Sequence, residues 1–295
     1  MKESYESTMK VQNFVDNVID GVKAEFIKDL DEVQQTGIPQ ALGIPAIEVL
    51  SFKNIADLYS AITSNISRFN FDMIKKIPLI TKYFKLYHPS KDNVITFDIT
   101  SPELDGKTVS INFGYGTGDH YDLPKNKKAD NSSVTGLYGK GDDGVYFPFA
   151  SNVPPAIYIY EVLFNNPNFV SHELTHYYQD KFQNLPAVSD KYYNGTDHEY
   201  HNDPSEMNAY FHETIAFFER YLKDVLENIK TSEDLDWFIK KIIKSPNGMS
   251  YYIDDFDPEW DSIYKWYNDL TDKNKQKIIK KLGEYIQNKY IKANQ

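Results

Sequence analysis

Apolar residues three and four apart dominate the start of the chain, and this spacing constrains its fold more than any other feature. Val11, Phe14, Val15, Val18, Val22, Phe26, Leu30 and Val33 fall on one side of a helix. A stripe of that kind must be buried against other elements. The helical reading extends through residues 1–90. A second stretch runs from about Asn54 to Phe69, and a third, apolar and lysine-rich, from Phe71 to Tyr87, broken at Pro78.

The period changes near Asp92. Val94, Thr96 and Asp98 alternate with Ile95, Phe97 and Ile99, as in a strand. Asp105 and Gly106 make a turn, and Thr108 to Phe113 reads as the return strand of a hairpin. Gly136 to Tyr138 and Val145 to Phe149 flank the turn from Gly141 to Gly144, and Ala156 to Phe164, rich in aromatic and β-branched residues, reads as another strand. Helices resume at Pro167, after Asn165 and Asn166, and again at Pro204 with Asp203 as N-cap, because proline suits the first helical position. The Pro167 helix is expected to reach about Phe182, the Pro204 helix about Ile229, and two or three more helices fill 232–292. The expected class is therefore α+β: mostly helical, with a small mixed or antiparallel sheet. The expected organisation is an N-terminal helical region (1–90), a core (91–230) and a C-terminal helical region (231–295), forming one compact unit.

Composition excludes several chemistries. With 32 basic and 43 acidic residues the 295-residue chain carries a net charge of −11, which argues against a nucleic-acid partner. It has no cysteine, so disulfides, a catalytic thiol and thiolate metal sites are excluded, and any metal must be held by His and carboxylates. Arginine occurs only at positions 68 and 220. No secretory signal and no membrane-length apolar run is visible, so the expectation is a cytoplasmic or virion-associated protein with no membrane partner. Gly114 to Gly118 lacks the Lys and Ser/Thr of a phosphate-binding loop. Oligomeric state is not legible.

The chemistry concentrates on the Pro167 helix, which holds His172, Glu173, Leu174, Thr175 and His176. Two histidines four apart lie one above the other on one helical face, so their imidazoles can converge on one ion. Glu173 sits beside them and can reach that ion's outer surroundings. This is the H-E-x-x-H pattern, two zinc ligands and a carboxylate general base. Zinc lowers the pKa of bound water to about 7, and Glu173 would take that water's proton and pass it to the leaving amine.

A catalytic zinc needs a third protein ligand. Gln179 and Phe182 stand where a metzincin would have Gly and His. Glu206, in the first turn after Pro204, is the candidate, with Ala209 one turn on small enough for two helices to lie close. The plainer reading of Glu206 is a first-turn acid favoured by the helix dipole. His201 is the alternative ligand. His198, His201 or Tyr210 could donate to an oxyanion, as could Tyr192 or Tyr193, and Glu213 or His212 could hydrogen-bond a ligand imidazole.

His172 to His176, together with Pro204, Glu206 and Ala209, resembles the zincin metallopeptidases of the gluzincin type, and the Pro-x-Glu-x-x-Ala spacing resembles phage-encoded zinc peptidases. The resemblance covers 136–219. It implies a zincin-like fold, with an active-site helix carrying the two histidines, a second helix carrying the third ligand and an edge strand that binds substrate in extended form. It departs from the well-studied gluzincins in having Ser205 where Asn precedes the third-ligand glutamate. The expected function is a zinc-dependent peptidase with catalytic Glu173, metal ligands His172, His176 and Glu206, and a protein or peptide substrate. The alternative is a non-catalytic structural or virion-assembly protein on the same scaffold.

Overall fold

The computed structural model of the chain describes residues 5–35, 94–100, 106, 108–116, 137–139, 144–148, 167–183, 196–244 and 258–292. Helix α1 spans Tyr5–Gln35. Strands β1 (Val94–Thr100), β2 (Thr108–Gly116), β3 (Leu137–Gly139) and β4 (Gly144–Pro148) follow. Helix α2 is Pro167–Tyr178 and runs on as a π-helical turn, Gln179–Gln183. Then come α3 (Asp197–His201), α4 (Pro204–Tyr221), α5 (Lys223–Glu227), α6 (Ser232–Phe238, continued by a π-turn to Ile243), α7 (Pro258–Asp269) and α8 (Asp272–Ile286, continued by a π-turn to Ile291). No helix among the described residues is long and apolar enough to cross a membrane. The segments expected as helices at 54–69 and 71–87 and as a strand at 156–164 lie outside the described residues.

The chain divides into two compact units, Met1–Asp16 with Ser171–Gln295, and Asn17–Val170. The architecture is mostly helical, which corrects the α+β expectation. A sheet and the His172 helix were expected to share one zincin-like core. Instead, every described element of the unit that holds His172 is a helix, and all four strands fall in the other unit. The physical reason is that the apolar faces of α4, α6, α7 and α8 are complementary to one another, so helix-on-helix packing closes this core without a sheet. Within the strand-bearing unit, β1 pairs antiparallel with β2, Val94 opposite Gly114. Gly106 turns the chain between them at φ +73°, a left-handed conformation that glycine adopts without steric cost. β4 joins β2 in parallel, with β3 outside it.

The helical core forms around α4. Phe211, Ile215, Phe218 and Leu222 recur at helical spacing and are fully buried. They share one cluster with Phe238 and Ile242, with Ile263, Trp266 and Leu270 of α7, and with Ile278, Leu282 and Tyr285 of α8. Each such side chain contributes roughly 1.5–3 kcal/mol. At the far end of α4, the Glu219 carboxylate accepts from the Tyr285 hydroxyl (2.7 Å), the Tyr290 hydroxyl (2.6 Å) and Lys289 Nζ (3.0 Å), tying α4 to the C-terminal helix. Phe14 of α1 stacks on Tyr177 at 5.9 Å and also meets Tyr178 and Phe182, packing against the end of α2.

The helices start where their capping chemistry places them. Asp203 accepts from Ser205 N at 2.8 Å and Pro204 opens α4, so Glu206 falls in the first turn. Thr196 and Glu199 form a capping box that starts α3.

Candidate metal centre

His172 and His176 lie one turn apart on α2, and their Nε2 atoms approach to 3.3 Å. Glu206, from the first turn of α4, faces both. Its Oε2 is 3.3 Å from His172 Nε2 and its Oε1 is 3.3 Å from His176 Nε2. Glu206 and His172 are buried, and His176 is partly so. Ala209, fully buried one turn after Glu206, keeps this part of α4 slim.

The outer hydrogen bonds fix where the protons sit. His172 Nδ1 is 2.9 Å from Glu213 Oε2; a carboxylate only accepts, so Nδ1 carries the proton. His176 Nδ1 is 3.2 Å from Ser205 Oγ. The Ser205 hydroxyl spends its own proton on Gln179 Oε1, and Gln179 Nε2 in turn donates to the Ser205 carbonyl at 3.4 Å. Ser205 Oγ therefore accepts from His176 Nδ1. In the neutral form of each ring, Nε2 is then the nitrogen that carries the lone pair. Two Nε2 atoms and a buried carboxylate converge, with Glu206 Oε2 3.3 Å from His172 Nε2 and its Oε1 3.3 Å from His176 Nε2. Such a group requires positive charge.

A proton on Nε2 answers that demand for positive charge in the same way as a cation between the rings. Burial works against charge on His172, yet Glu206 and then Glu213 outweigh it and hold its pKa well above the ordinary histidine value. Burial likewise opposes ionisation of Glu206, but His176 and His172 together pull its pKa far below the usual carboxylate range.

The donor set fits a tetrahedral borderline cation. An ion about 2.0 Å from two ligands at the tetrahedral angle separates them by about 3.3 Å, which is the observed Nε2–Nε2 distance. Two imidazoles and one carboxylate suit a divalent transition ion such as zinc or iron(II) better than the oxygen-seeking calcium and magnesium. Among the described residues, His172, His176 and Glu206 are the group able to hold a metal ion.

Glu173 is buried beside this group. Burial raises its pKa, the histidines offset part of that rise, and Glu206 and Glu213 add to it. A carboxylate with a raised pKa is a stronger base and is better matched to proton transfer near neutrality.

The other sequence candidates are placed as follows. Glu213 is the partner of His172. His201 stands outside the metal group, its Nδ1 2.9 Å from Asp269 Oδ2. His198 is on the exposed side of α3. The Tyr210 ring meets His172 edge-on at 4.5 Å and stacks on Trp266 at 5.2 Å, while its hydroxyl is engaged by Ser262. His212 points into the core, away from any partner. Tyr192 and Tyr193 lie outside the described residues.

Three residues escaped the sequence reading. Gln179 and Ser205 orient His176. Burial of Tyr200, then the Glu206 charge, hold its pKa well above the ordinary tyrosine value, so the phenol keeps its proton. Gln179 had a signal in its position three residues after His176. Tyr200 had none, because it belongs to a five-residue helix inside what reads as a loop. No known protein family matches the chain, and no curated protein or solved structure matches it either.

Proposed function

We propose that the protein is a zinc-dependent metallopeptidase of the zincin type, acting on a protein or peptide substrate. The observation that carries this reading is the convergence of the two Nε2 atoms and the Glu206 carboxylate at 3.3 Å from one another, with each imidazole held from behind by a hydrogen bond at Nδ1. His172, His176 and Glu206 would hold the ion, leaving its fourth position to water or substrate. Zinc, when bound, polarises a carbonyl and acidifies water. Glu173 acts as general base: it accepts a proton from the attacking water and returns it to the departing amine nitrogen. Its raised pKa suits both transfers.

Glu173 also favours an enzyme over a purely structural metal protein. It is a buried carboxylate beside the metal group that supplies no ligand, which a structural site does not need. Structural zinc sites are moreover almost always closed by four protein ligands, and three converge here.

The test couples metal content with cleavage of casein. The parent should bind one zinc ion per chain and cleave. Glu173→Gln should keep the zinc and lose cleavage by a factor of about 100 or more. Glu206→Ala should lose zinc affinity. A parent that binds no zinc refutes the metal site; Glu173→Gln cleaving at the parental rate refutes the base.

A further inference from the structure

His176 and Gln179 stand three residues apart, on α2 and on the turn that continues it, so their side chains reach out on the same side. Both grip one residue of α4. His176 Nδ1 lies 3.2 Å from Ser205 Oγ, Gln179 Oε1 accepts from that same Oγ, and Gln179 Nε2 donates to the Ser205 carbonyl at 3.4 Å. Gln179 and Ser205 are both buried, so bulk water does not compete for these contacts.

A serine hydroxyl by itself has no fixed direction: it can donate to an imidazole nitrogen or accept from one. Only the second leaves the His176 Nε2 lone pair for a metal ion. Gln179 removes the ambiguity. A backbone carbonyl only accepts, so the amide atom facing it is Nε2 and the one facing Oγ is Oε1. A hydroxyl that donates to Oε1 has only lone pairs left for His176. The same amide holds the main chain at residue 205, and the next residue, Glu206, places its oxygens 3.3 Å from both Nε2 atoms. His172 needs no such device, because its partner at Nδ1 is the Glu213 carboxylate, and a carboxylate accepts without ambiguity.

We propose that Gln179 is a positioning residue of the metal centre: through Ser205 it aims the His176 lone pair at the ion and anchors the turn of α4 that delivers Glu206. The proposal rests on the reading above only in that His172, His176 and Glu206 bind a metal ion; it needs no substrate and no turnover.

Cobalt(II) alone, added to the purified full chain, reads the two histidines separately. The Nδ1 proton of an imidazole bound to Co²⁺ through Nε2 resonates far outside the ordinary proton range, and its signal is lost when it exchanges quickly with water. The parent should show two such resonances, both absent in heavy water. Glu213→Ala identifies the His172 resonance by losing it. Gln179→Met, similar in volume but without the amide, should broaden or lose the His176 resonance, leave that of His172 in place and weaken Co²⁺ binding about 10-fold. Ser205→Ala should do the same, and the double variant should weaken binding by less than the product of the two single effects. If Gln179→Met no longer unfolds cooperatively, Gln179→Asn, whose amide falls one methylene short of Ser205, takes its place with the same expectation. A parental His176 resonance or a parental affinity in the Gln179 variant overturns the proposal. So does a change of equal size at both histidines, which marks a general loosening, or single effects that multiply in full in the double variant. A parent that binds no Co²⁺ overturns the metal site itself, and this proposal with it.

Discussion

Replacing His212 by leucine should remove an acid sensitivity built into the helical core. His212 lies on α4 with 0% of its surface exposed, and neither ring nitrogen has a hydrogen-bond partner. Its ring meets Phe211 edge-on at 5.4 Å. Burial, and then the Lys281 ammonium, push its pKa down to about 3 from 6.5. The neutral ring is therefore the folded form. The associated stability is complete above pH 6.5, where the unfolded chain is also neutral, and drains away as pH falls from 6.5 towards 3. The difference between those two values corresponds to about 5 kcal/mol in full, and to about 2 kcal/mol by pH 5. Urea unfolding of the parent and of His212→Leu at pH 8 and pH 5, in the presence of chelator, measures it. Every other titrating group is common to both chains and cancels in the difference. The parent should lose about 2 kcal/mol relative to the variant between those pH values. At pH 8 the variant should be no less stable, because it no longer buries two unpaired nitrogens. A stability gap that is the same at both pH values refutes the reasoning, since it would mean that the imidazole titrates alike in the folded and unfolded chains.

Two further outcomes follow from the geometry. Glu213→Ala leaves the His172 Nδ1 proton without its acceptor and should weaken zinc binding about 10- to 100-fold in competition with a chromophoric chelator, while the fold persists by circular dichroism. Tyr290→Phe removes one of the two hydroxyls on Glu219 and should cost about 1–2 kcal/mol in chemical denaturation, with Tyr285→Phe less than additive on top of it because both act on one carboxylate.

The legible part of the site was the part that local geometry dictates. His172 and His176 face the same way because any helix brings residues four apart together, and the proline at 167 marks where that helix begins. Glu206 was legible as a first-turn acid because Asp203 and Pro204 start α4 there, but the same signal fits an ordinary capping acid. The structure puts its oxygens 3.3 Å from both imidazoles. The sheet reading failed differently. Alternating residues near 94–113 do form β1 and β2, yet alternation says nothing about which unit a strand joins, and the unit around α2 is built from helices. Asn202 and Asp269 carried no signal, since they pair with each other across 67 positions.

The sequence alone determined the two histidines on one helical turn, the starting points of α2 and α4, and the absence of thiolate chemistry, because helical spacing, caps and composition are properties of neighbouring residues. Tertiary structure decided which carboxylate faces those imidazoles and which side chains hold each ring from behind at Nδ1. These depend on contacts between residues tens of positions apart, and such contacts are fixed by the packing of buried helix faces rather than by local pattern.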